Sequence, residues 1–437
     1  MPLTTTQRQE MLRQAKAVLD SNWREGYTVP GAALYPFQWN WDSGFIALGY
    51  SHYDLGRAKQ EIRSLFKGQW QNGLLPHIVF HVENDNYFPG PEIWQTEITP
   101  RAPRKPRTSG IIQPPIIGFI LEVMYQKSAV KRDILAFAEE LFPQVLRFHR
   151  YLYTCRDIHR EGLVYIQHNW ESGMDNSPTW DTVLAKIDAE DDRSIASSRR
   201  DLQQVDRSQR PSDVEYQKYL HLVDLFMQCK YEDKCIAESC PFLVQDPFLN
   251  SLLIRSNQAL INLAILLGQN ASELKDWNET SIRAMNTKLW NARNHSYDAL
   301  DLTTGERITT STSPAMIGPL FARVPSESQA HLIVERLRGS FARDGFYLCP
   351  TVMPEQNEFE PQRYWRGPVW ININWLLFHG LRQYGFERFA KRVADDSLVL
   401  VQKYGFHEYF DPRKGAGGGY GASGFSWTAA LIIDWLA

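Results

Sequence analysis

The chain has 437 residues, 43% of them hydrophobic and 22% charged, with a formal net charge of −3 and a pI near 6.4. Such a composition supports a large folded core and excludes a disordered chain. The near-neutral charge gives no electrostatic reason to expect nucleic acid or an anionic membrane surface as a partner.

Helical periodicity dominates in chain order. A capping Thr opens a charged amphipathic helix over 5–22, which lacks the apolar stretch of a signal peptide. Further helices are expected over 42–67, 112–127, 130–154, 178–187, 213–229, 246–268, 270–291, 313–322, 326–342, 366–385, 387–403 and 423–436. No apolar run approaches the ~18 residues of a membrane span, so the cytoplasm is the default location. The sequons at Asn270, Asn278 and Asn294 then read as chance matches. Five cysteines, with no Cys-x-x-Cys pair, read as free thiols in a reducing compartment and not as a disulfide frame or a zinc site.

Strand signals are few. GLVYIQH (162–168) and GFYLCPTVM (345–353) fit small loop hairpins, and no βαβ alternation suggests a nucleotide-binding sheet. About a dozen helices joined by alternating short and long links imply stacked antiparallel pairs, either an open solenoid or a closed ring. No repeat of about 33–47 residues is present, which favours the ring. The expectation is all-α: one (α/α)6 barrel spanning 1–437, with its long loops forming a cap at one mouth. Those connections are 24–42, 70–111, 162–180, 187–212, 343–366 and 404–424, and the charged 187–212 segment is expected to act as a lid. The oligomeric state is not fixed by the sequence, and a homo-oligomer is compatible with it.

Aromatics are unusually abundant, with 14 Trp, 19 Tyr and 22 Phe. Many lie beside Gly, Pro or Asn in loops, where they would make a stacking surface for a flat ligand face such as a sugar ring. Within ESGMDNSPTWD (171–181), Ser177-Pro178 reads as an N-cap and first helical residue, which places Asp175 on a tight turn between Trp170 and Trp180. A carboxyl group beside apolar rings is desolvated, its pKa rises, and it can serve as a general acid. A turn Asp bonded to its own backbone explains the same stretch. Glu408, ahead of the Gly-rich GAGGGYG, is a candidate partner; this run lacks a preceding strand and a Lys-Ser/Thr and is not a phosphate loop. Trp39, Trp41 and Asp42 lead into a helix, His77 and Tyr87 sit in the 72–90 loop, and RYWRGPVW (363–370) leads into another helix.

Taken together, WNWDSGFIALG, NGLLPH, SGMDNSP, YWRGPVWININWL and HEYFDP resemble glycoside hydrolase family 63, and most of all its compact bacterial mannosylglycerate and glucosylglycerate hydrolases. The resemblance implies an (α/α)6 barrel and an inverting mechanism, with Asp175 as general acid and Glu408 as general base. It also implies a ring-binding site of Tyr35, Trp41, Asp42, Gln113 and Trp370, and an aglycone site of Tyr87, Arg210, Tyr216, Tyr364 and Trp365. A glycerate aglycone needs a cation, because a carboxylate buried without a partner is costly. Arg210 is the choice for that clamp, with Arg207 and Arg366 as alternatives. The partner is then a small-molecule sugar, and neither a cofactor nor a metal is implied. A terpene-cyclase reading of DAEDD (188–192) lacks the apolar helix such a magnesium site needs. A neutral-disaccharide hydrolase and a non-catalytic sugar-binding module remain the other readings.

Overall fold

The structure, a computed structural model, describes residues 3–189, 198–309 and 311–437. Thirteen longer helices organise the described residues: α1 (Thr5–Asn22), α2 (Asn40–Ser51), α3 (Leu55–Phe66), α4 (Ile117–Lys127), α5 (Lys131–Cys155), α6 (Asp213–Gln228), α7 (Pro247–Leu267), α8 (Ser272–Ala284), α9 (Pro314–Phe321), α10 (Glu327–Ser340), α11 (Ile371–Gln383), α12 (Glu387–Tyr404) and α13 (Ser426–Leu436).

Local sequence sets many of their ends. Thr4 and Gln7 form a capping box at α1, and Ser212 and Glu215 form one at α6. Asp246 accepts from the backbone N–H groups of Phe248 and Leu249 ahead of Pro247, and Gly268 closes the same helix, α7, in the left-handed conformation. The single helix expected over 42–67 is two, because Asp54 accepts from the N–H of Arg57 and starts α3 as a new helix.

Packing places eleven of these helices in two groups. The chain of contacts α2–α4–α7–α9–α11–α13 returns to α2. Against it lie α3 on α2, α1 on α13, α5 on α4 and α7, α8 on α7, and α12 on α11. The inner members are apolar around most of their circumference: every residue of α9 is buried, as is the run Asn40–Tyr50 of α2. Close approach is built in with glycine. A Cβ on Gly49 would lie 2.6 Å from the Ala430 backbone, and one on Gly380 would lie 2.9 Å from the Phe321 nitrogen.

The stretches 162–168 and 345–353 make isolated bridges, Ile166 to Val244 and Pro350 to Val369, and not regular strands. The hairpin that does form near the site is His407–Phe410 paired antiparallel with Gly419–Ser423, which sequence reading assigned to loop. The helix expected over 178–187 is shorter, a 3-10 turn Pro178–Trp180 running into Asp181–Leu184.

The free-thiol reading fails for two of the five cysteines. Cys229 and Cys235 form a disulfide with Cα atoms 5.6 Å apart, whereas Cys155, Cys240 and Cys349 are free. Lys230 and Tyr231, both at positive φ, reverse the chain after α6 and bring Cys235 back to Cys229. No spacing rule announces that reversal. Among the described residues no helix is long and apolar enough to cross a membrane. Of the expected lid, 190–197 lies outside the described residues.

Candidate active site

One cavity, with about 870 Å³ of empty space including its mouth, gathers residues from all six long connections. Asp175, Glu408 and all ten residues expected to contact sugar line it. Sequence reading did not single out Phe88, Asp201, Phe425 or Trp427 of the same wall. Helices α2, α11 and α13 turn their N-termini toward the cavity, contributing Trp41 and Asp42, Trp370, and Trp427 respectively. Their dipoles favour negative charge there.

The turn that carries Asp175 is fixed from beneath. Glu171 and Arg156, both fully buried, make a bidentate ion pair at 2.9 and 3.0 Å. The same carboxylate accepts from the backbone N–H groups of Ile112 and Gln167. All its lone pairs are directed inward, so Glu171 is a structural acid. Asn169 donates to the Asp175 carbonyl at 2.7 Å, and Asn176 accepts from the N–H of Trp365 at 3.0 Å. Gly173 has φ +73°, and a Cβ there would lie 2.7 Å from the ring of Trp41, so the turn and the indole can meet only at glycine.

Glu408 comes from the hairpin His407–Phe410 and is 2% exposed. Oε1 accepts from the Tyr35 hydroxyl at 2.7 Å, and Oε2 accepts from the N–H of Ala422 at 2.9 Å. Nη1 of Arg210 is 4.0 Å from Oε1 and donates to the Tyr35 hydroxyl at 2.9 Å. The guanidinium lies 4.3 Å from the centre of the Tyr364 ring. Tyr364 itself sits at φ +38°, a left-handed conformation that costs a non-glycine residue about 1–3 kcal/mol.

Burial raises the Asp175 carboxyl to about 7, against the opposing pull of Arg210 and a hydrogen bond from Tyr364. Asp42 is raised well above the usual carboxylate range by burial, with Glu408 adding to it. Glu408 is raised too, by burial, while Arg210, the Ala422 N–H and Tyr35 hold it down. Despite these three partners Glu408 binds its proton more tightly than an ordinary carboxylate, because its side chain is buried.

The other expected positions differ in what they touch. Gln113 accepts from the Trp41 N–H at 3.1 Å, which leaves its NH2 group as the donor open to a ligand. Trp370 is fully buried, stacks on Trp365 at 3.7 Å and donates Nε1–H to the Tyr364 carbonyl, so it backs the wall. Tyr216 packs beneath the Arg199 guanidinium at 4.4 Å, and Tyr87 stands edge-on to Trp39. Of the three candidate arginines, Arg207 is exposed and pairs with Asp213, and Arg366 is held by Asp181 and Glu360. Arg210 alone of the three lines the cavity.

The mannosylglycerate hydrolase MGH1-like glycoside hydrolase domain matches residues 35–428. The chain belongs to that family. It is a glycoside hydrolase of family GH63. A mannosylglycerate hydrolase of Thermus thermophilus is 43% identical over 97% of this chain and 99% of its own length. A glucosylglycerate hydrolase of Mycolicibacterium hassiacum is 32% identical over 98% of each. The crystal structure of a GH63 mannosylglycerate hydrolase of Thermus thermophilus, in complex with Tris and D-glycerate, superposes with a TM-score of 0.91 at 41% identity, covering 98% of this chain and all of that one.

Proposed function

We propose that this family member is an inverting α-glycoside hydrolase that releases mannose or glucose from a small anionic glycoside, 2-O-α-mannosylglycerate or its glucosyl counterpart. Mannosylglycerate stands first, because the relative of that name is the more similar of the two. The catalytic unit is a single (α/α)6 barrel over 1–437, a reading supported by the closed cycle of six inner helices.

Protonated Asp175 donates to the glycosidic oxygen, and ionised Glu408 takes a proton from a water that attacks the anomeric carbon from the opposite face. Inversion needs room for that water, about 6.5–9.5 Å between the carboxyl groups. Tyr35, Asp42 and Gln113 supply hydroxyl-binding groups, and the indoles supply the stacking faces. Arg210 meets the aglycone carboxylate; among the described residues its Nη2 donates to no protein group, and Tyr87 and Tyr216 line the same cavity. The observation that carries the reading is the presence of both acids and a buried guanidinium in one cavity. The stretch 198–212 contributes Arg200, Asp201, Arg210 and Pro211 to that wall, and the lid over 187–212 predicts protease sensitivity that saturating substrate suppresses.

A neutral-disaccharide hydrolase is the second reading, supported by a periplasmic trehalase of Xanthomonas campestris that is 27% identical over 42% of the chain. A panel of α-mannosyl- and α-glucosylglycerate, uncharged α-glycosides and trehalose, with the product anomer followed by NMR, separates them. Release of the α-anomer first refutes inversion, and preference for trehalose refutes the anionic substrate.

A further inference from the structure

Arg210 does not reach the acids unaided. A row of alternating charges leads to it from the surface: Arg207 donates to Asp213, Arg199 donates to Asp213 and to Asp201, and Arg210 donates through Nε to Asp201 at 3.1 Å. Arg199 is 2% exposed and donates to both oxygens of Asp201, at 3.1 and 2.7 Å, as well as to the carbonyl of Pro211. Asp201 therefore sits between two buried guanidiniums, one turned away from the cavity chemistry and one turned toward it.

We propose that Asp201 is a positioning residue: it anchors Arg210 by its Nε edge, so that Nη1 faces Tyr35 and Glu408 while Nη2 stays free for the aglycone carboxylate. One guanidinium then does two jobs. It keeps the base ionised, and it neutralises the substrate. Neither works if the arginine swings, and an arginine has several rotatable bonds through which to do so unless its head is held. The inference deepens the functional reading above and rests on its assignment of Glu408 and Arg210.

The direction of a pH shift tells anchoring from simple charge. Glu408 faces the cation Arg210, the hydroxyl of Tyr35, the backbone N–H of Ala422 and the carboxylate of Asp201. Asp42, Asp175, Tyr364 and Tyr409 also feel its charge. Asp201 faces Arg199 and Arg210, with the phenols of Tyr87 and Tyr216 near enough to sense it. Asp201 as a bare charge raises the Glu408 pKa, whereas Arg210 lowers it by more. Removing the charge with Arg210 still in place would move the acidic limb of the rate profile to lower pH. Letting Arg210 drift moves it to higher pH.

The test measures kcat and KM against pH for wild type, Asp201→Asn and Asp201→Glu, with mannosylglycerate and with an uncharged aryl α-mannoside. Asp201→Asn should raise KM for mannosylglycerate about tenfold or more, the loss expected when a charged hydrogen bond is misaligned, with a much smaller rise for the aryl glycoside. The acidic limb of kcat/KM should move to higher pH with both, and Asp201→Glu should restore much of each effect. Arg199→Lys, which loosens Asp201 from behind without removing charge, is a second variant and should move the limb the same way. A limb that shifts to lower pH or stays put, or an equal rise in KM for both glycosides, overturns the proposal. A wild type that hydrolyses neither glycoside overturns the functional reading beneath it, a result distinct from either shift.

Discussion

Tyr35 donates its hydroxyl to Oε1 of Glu408 at 2.7 Å, across 373 residues of chain, and accepts from Arg210 at the same oxygen. A phenol so placed relays the guanidinium to the carboxylate and lowers its proton affinity. Tyr35→Phe removes the relay and changes the shape of the wall very little. A hydrogen bond to a charged group contributes roughly 1.5–3 kcal/mol, so kcat/KM should fall about 10- to 100-fold. Its acidic limb should move to higher pH, because the unassisted carboxylate holds its proton longer. A pH–rate profile of the variant checks both.

Asp175 titrates near 7 in the folded chain against an ordinary 3.8. In the proposed role of general acid it must be protonated, so activity should decline as pH rises through about 7. Its effect on stability has the same sign. Between about 3.8 and 7 the folded chain binds more protons at this site than the unfolded chain, so the contribution falls with rising pH across that window and is flat above it. Asp175→Asn should therefore lose about 100- to 10,000-fold in kcat, yet melt at a higher temperature than wild type at pH 8. Calorimetry and initial rates on one preparation test the two together.

Gly173→Ala asks the backbone to hold φ +73° with a side chain and drives a methyl group into Trp41. Strain of this kind costs about 1–3 kcal/mol. The turn that carries Asp175 must shift to relieve it, so activity should drop further than the melting temperature alone would explain. Activity per folded molecule, with the folded fraction taken from circular dichroism, is the measurement.

Arg156→Ala strands Glu171 without a counter-ion beneath the same turn. Breaking a buried pair from one side typically costs about 3–5 kcal/mol. Urea denaturation should show that loss as a lower midpoint. Arg156→Met with Glu171→Gln should recover part of it, since no buried charge is then left over.

Much of this was readable along the chain. The spacing of apolar residues located the helices, and the six long connections read as a rim are the six that line the cavity. The turn at Asp175 followed from Gly173, Ser177 and Pro178 because glycine, serine and proline act on their immediate neighbours. Asp201 was passed over for the opposite reason: it belongs to a charged stretch that looks like any solvated loop until Arg199 and Arg210 close on it. The hairpin beneath Glu408 was missed because its second strand, Gly419–Ser423, is mostly glycine and small residues with weak strand preference. Cys229 and Cys235 meet through a backbone reversal that uses no glycine.

Where the long helices lie and which chemical groups the connections carry are properties of neighbouring residues, and the sequence determined them by itself. The tertiary structure decided which acid faces water and which faces a guanidinium. Glu171, Asp175 and Asp181 lie within eleven residues of one another, yet one is fully buried against Arg156, one faces the cavity, and one holds Arg366. Proton affinity depends on the dielectric and the charges within a few ångströms, and those neighbours come from remote parts of the chain.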